Sequence, residues 1–141
     1  MRVFLDANII LDAFDPNRPH SKYSREAYFY ILSSHQVFTS CDLITTIYYV
    51  HSKIDKVQAL TKIAQVNKTL KVIEFSNKEV EQTCQLMIDD KDYKDLEDTI
   101  QYIMAKKENC DLILSNDKNF VSKDIKLLSS EEFCKQRGIN I

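Results

Sequence analysis

The chain has 141 residues, 44% of them hydrophobic, enough for one domain spanning residues 1–141 with a sizeable core. Its formal net charge is −2, from 19 basic and 21 acidic residues, which excludes a protein held to nucleic acid mainly by a basic face but not an enzyme meeting RNA through metal ions and a local patch. The single glycine, Gly138, excludes a Walker loop and a Rossmann fingerprint, both of which need several glycines for close phosphate approach.

Residues 2–5, mostly apolar, read as a buried strand, after which Asp6-Ala7-Asn8 leads into a short helical stretch over 9–14. Pro16 and Pro19 break it in a polar loop. A helix over about 21–34 carries Tyr23, Tyr28, Phe29 and Tyr30 as core and rim, and residues 35–39 form a second strand. Ser40-Cys41-Asp42 starts a helix bearing Leu43, Ile44, Ile47, Tyr48 and Val50. Another helix over 53–67 has Val57, Leu60, Ile63, Ala64 and Val66 as its apolar positions. A strand over 70–75 precedes a helix over about 78–88, started at Ser76-Asn77 and supported by Glu79 and Glu81. After a charged loop comes a helix over 95–108, then strands over 111–114 and 125–128, then a capped turn from Ser129. Strands alternating with helices predict a three-layer α/β/α sandwich around a mostly parallel sheet.

Cys41, Cys84, Cys110 and Cys134 form no C-x-x-C pair, and His20, His35 and His51 are dispersed. The expectation is a reduced, cytoplasmic chain without a zinc or His-ligated site. Nothing reads as a signal peptide, and no apolar run approaches the roughly 18 residues of a membrane span.

The acids carry the chemistry. At about 100° per residue, Leu96, Ile100, Ile103 and Met104 fall on one apolar face of the 95–108 helix. Asp95, Asp98 and Tyr102 share another face, and Glu97 points away from both aspartates. Asp6 and Asp117 each follow a strand, where ligands gather in open α/β sheets. Asp95 also has a plain reading as a helix N-cap, and Asp117 as a turn residue. Crowded carboxylates repel unless protons or cations compensate. An all-oxygen cluster favours Mg²⁺ or Mn²⁺ over zinc, and such ions promote phosphodiester hydrolysis.

Three stretches carry a family resemblance. Val3-Phe4-Leu5-Asp6-Ala7-Asn8, Asp95-Leu96-Glu97-Asp98-Thr99-Ile100-Gln101 and Leu114-Ser115-Asn116-Asp117-Lys118-Asn119-Phe120 resemble the motifs of PIN-domain nucleases, and within them the VapC-like toxins of toxin–antitoxin systems. Ser115 stands for a usual Thr, and Asn119 for the last motif's second Asp. The resemblance implies an endoribonuclease in which Asp6, Asp98 and Asp117 bind Mg²⁺ or Mn²⁺, Asp95 helps, and Asn8 and Ser115 lie in the same pocket. It also implies a small antitoxin partner and a homodimer. One family feature is missing: the Glu usual on the helix after the second strand falls at Thr46, in a T-x-x-Y-Y segment over 45–49. Either Asp42, one helical turn earlier, replaces it, or Thr46 acts through a water. Lys91, Lys94 and Lys118 are candidates for positioning phosphates. The alternative is a catalytically weak PIN-fold module that binds RNA or a protein. A haloacid-dehalogenase-like phosphatase wants D-x-D at the first strand, where Asn8 holds the second position.

Overall fold

The computed structural model describes residues 1–141. Five strands, β1 (Arg2–Leu5), β2 (Gln36–Ser40), β3 (Lys71–Ile73), β4 (Leu112–Leu114) and β5 (Lys126–Leu128), form one sheet in the order β3-β2-β1-β4-β5. Every pair is parallel, so the sheet is wholly rather than mostly so. Successive strand residues face opposite sides, yet Val3, Phe4, Leu5, Ile113 and Leu114 are all fully buried. Both faces of the sheet centre are therefore covered, which is why these strands read as continuous apolar runs.

Seven helices provide the cover: α1 (Ala7–Phe14), α2 (Ser21–Ser34), α3 (Cys41–His51), α4 (Lys56–Thr69), α5 (Asn77–Asp89), α6 (Leu96–Lys107) and α7 (Ser130–Gln136). Helices α1, α2 and α7 pack together, α3 lies against α1 and α4, and α5 pairs with α6. The expected α/β/α sandwich is the architecture that forms.

Local chemistry sets the helix starts. Asp6 caps α1 through Ala7 N, and Asp95 caps α6 through Asp98 N. Glu79 accepts from Ser76 N at the start of α5, while Ser129 and Glu132 form both halves of a capping box on α7. Helix α4 begins three residues later than its apolar spacing predicts, because Asp55 caps it by accepting from Gln58 N at 3.0 Å. Only a narrow face of α4 is covered: Ala59 and Val66 are buried, whereas Val57 and Leu60 are exposed.

The strand order creates a switch point. From β1 the chain steps outward to β2 and β3, then returns to place β4 on the other side of β1. Val3, Phe4 and Leu5 pair with Leu112, Ile113 and Leu114, and Asp6 N donates to Leu114 O at 3.0 Å. Asp6 and Ser115 thus leave the sheet side by side, where an open α/β sheet binds its ligands.

Leu114→Ala should cost about 2–5 kcal/mol in urea unfolding, since it empties a fully buried site beside this switch point. Leu60→Ala should change stability by roughly 0.5 kcal/mol or less. Equal losses would contradict this division of α4 and the sheet.

Candidate active site

Asp6 is the most enclosed acid of the switch point, with 5% of its surface exposed. Its Oδ1 accepts from Ala7 N at 2.8 Å, and its Oδ2 accepts from Asn8 Nδ2 at 3.0 Å and Ser115 Oγ at 2.8 Å. Asn8 Oδ1 in turn accepts from Asn116 N at 2.9 Å, and Ser115 Oγ accepts from Asp117 N at 3.1 Å. The two strand ends are laced together through side chains of both. Asp117 Oδ1 accepts from Asn119 N at 2.9 Å, so Asn119 closes the turn with its backbone.

Helix α6 directs its N-terminal end at the same place. Asp6, Asp95, Asp98 and Asp117 line one cavity of about 290 Å³ with Asn8, Thr46 and Glu97. Glu97 contradicts the expectation that it points away. The wheel describes a helix seen side-on, whereas here the first turn meets the cavity with its end, where residues on several faces converge. Other α6 positions shift accordingly: Ile100 and Met104 are buried as expected, but Leu96 is exposed, and Gln101 and Tyr102 are buried.

Asp95 spends Oδ1 on capping α6, accepting from Asp98 N at 2.9 Å. Asp42 does not line the cavity. Its carboxylate accepts from Ser40 Oγ and from Gln101 Nε2, the latter at 2.8 Å. Gln101 is fully buried, and its Oε1 has no partner. Thr46 does line the cavity, so the position that lacks the expected acid faces the site. Lys94 and Lys118 line an adjoining depression of about 600 Å³ with Tyr93, Asp95, Asp98 and Phe120; Lys91 does not.

A second set of residues holds the turn from behind. Asn116 Nδ2 donates to Asp12 Oδ2 at 2.7 Å and Ser24 Oγ at 2.9 Å. Its Oδ1 accepts from Ser130 N at 3.0 Å and Ser130 Oγ at 2.9 Å. One side chain therefore ties the β4 turn to α1, α2 and α7. Sequence reasoning passed over Asn116 and Asp12; the only signal was Asp12, a charged residue set among the apolar positions of 9–14.

Residues 3–126 match the family model described as PIN domain. The chain belongs to the PIN-domain family. It is 53% identical to Ribonuclease VapC1 of Aquifex aeolicus (strain VF5) over 136 residues, covering 96% of this chain and 94% of that protein. The fold is similar to that of VapBC2 from Rickettsia felis bound to a promoter DNA fragment, with TM-score 0.70, 19% identity, and 92% and 98% of the two chains covered. A toxin–antitoxin complex from Klebsiella pneumoniae gives TM-score 0.67 at 20% identity, covering 91% of this chain and 97% of that one.

PIN-domain ribonucleases as a class depend on divalent metal. The donor chemistry of this cavity fits a hard divalent cation, since it offers carboxylates and no thiol or imidazole. The acids are not already gathered: no three His, Cys, Asp or Glu side chains are spaced to hold an ion as they stand. Burial drives the Asp6 carboxyl up to about 6 against the hydrogen bonds from Ser115 and Ala7, with Asp117 and Glu97 adding to the rise. Asp98 is pushed up to about 7 by burial, then by Asp6, Asp95 and Asp117. Partial burial, then Asp42 and Asp95, raises Glu97.

An acid whose pKa is raised by the fold takes up protons on folding, so cation-free protein should lose stability as pH climbs from about 4 toward 7. Asp98→Asn removes the strongest such group. In EDTA at pH 8 the variant should melt above the parent and show a shallower fall with pH. A variant that melts at or below the parent at pH 8 would contradict the electrostatic account.

Proposed function

We infer that the protein is a metal-dependent endoribonuclease and the toxin of a toxin–antitoxin pair. The observation that carries this reading is the meeting of Asp6, Asp98 and Asp117, distant in sequence, in one cavity at the sheet's switch point. Near-full-length similarity to a ribonuclease supports it. In this reading Asp6, Asp98 and Asp117 hold Mg²⁺ or Mn²⁺. A divalent cation there would draw a nucleophile from water at neutral pH and offset charge developing on the phosphate.

The remaining residues prepare that site. Asn8 and Ser115 fix the Asp6 carboxylate through Oδ2, leaving its orientation set before any ligand arrives. Asp95 caps α6 and thereby holds Asp98 at the cavity. Lys94 and Lys118, which line the adjoining depression, would take the phosphates flanking the cleaved bond. Likeness to toxin–antitoxin complexes supports a small antitoxin partner. No helix is long and apolar enough to cross a membrane; in this reading the protein acts in the cytoplasm as a homodimer.

Thr46 favours the second reading, a PIN-fold module that binds without cutting, because the family's usual acid is absent there. Purified, antitoxin-free protein incubated with bulk and structured RNA separates the two. Cleavage should require Mn²⁺ or Mg²⁺, stop in EDTA, and fall about a hundredfold or more in Asp98→Asn, equivalent to roughly 2.7 kcal/mol of barrier. Folded protein that cuts no RNA with either ion would favour the binding module.

A further inference from the structure

We propose that Glu97, reaching in from α6, supplies the carboxylate that position 46 on α3 does not. The proposal rests on the metal-dependent reading of the cavity and names a residue that takes part in it. Three observations carry it. Glu97 and Thr46 line the same cavity as Asp6, Asp98 and Asp117, so a charge lost at one place on its wall is present at another. Asp42, the nearest acid on α3, does not line that cavity, and its two oxygens are engaged by Ser40 and the buried Gln101. Glu97 accepts no hydrogen bond from the protein, unlike Asp6, Asp95 and Asp117, and its longer side chain starts at the exposed mouth.

The consequence is an unequal pair of tasks within Leu96-Glu97-Asp98. Asp98 sits deeper and is half-buried, while Glu97 closes the cation site from the solvent side. Carboxylate number sets how strongly an oxygen site holds a hard cation, so neutralising Glu97 weakens binding without emptying the site.

Mn²⁺ binding to the full chain, followed by calorimetry at pH 8, tests this apart from any cleavage. Glu97→Gln should weaken Mn²⁺ binding by about tenfold or more, and adding Thr46→Glu to that variant should restore most of the loss. Asp42→Asn should bind within about threefold of the parent. Melting in EDTA checks that Glu97→Gln folds, since removing one of several crowded acids should not lower its melting temperature. Unchanged affinity in Glu97→Gln, or a larger loss in Asp42→Asn, overturns the role of Glu97 while leaving the metal site intact. A parent that binds no Mn²⁺ overturns the reading on which the proposal rests.

Discussion

Asp6 is the constraint on which the structure of the site depends. A carboxylate buried to 5% exposure at the end of the central strand is costly unless the protein supplies donors. Three are supplied: the amide of Ala7, which starts α1, and the side chains of Asn8 and Ser115. They do not fully compensate, because burial and nearby acids still hold the carboxyl up to about 6. The fold thus keeps an electrostatic cost at one point, and a divalent cation is the natural relief.

The sheet topology makes that arrangement possible. Since β4 returns to the side of β1 opposite β2, the ends of β1 and β4 open into one crevice rather than being closed by a crossover between them. Asn116 then locks the β4 turn to three helices, its four side-chain hydrogen bonds reaching Asp12 on α1, Ser24 on α2 and, twice, Ser130 on α7. The acids are therefore mounted on rigid neighbours even though they repel one another. Asp95 shows the same economy, since one oxygen caps the helix that presents Asp98.

Much of this was legible in the sequence for clear reasons. Buried parallel strands advertise themselves as short apolar runs, and caps such as Ser76, Asp95 and Ser129 mark where helices begin. The order of strands and acids then pointed to one shared site for Asp6, Asp98 and Asp117, and all three line one cavity. Glu97 was misread because helical periodicity predicts faces along an axis and fails at an end, where neighbouring residues surround a common point. Leu96 failed with it, being too near the helix start to reach the core. Asn116 gave no periodic signal, as its partners lie 14 to 104 residues away in sequence. On α4 the apolar spacing was real, but Val57 and Leu60 meet solvent rather than the core.

The most direct measurement of the central claim is anomalous diffraction from crystals of the full chain grown at pH 8 with saturating Mn²⁺. The account predicts a strong manganese peak in the cavity at the ends of β1 and β4, with Asp6, Asp98 and Asp117 drawn in around it. Crystals with that cavity free of manganese, or with the ion held by acids elsewhere on the surface, would contradict it.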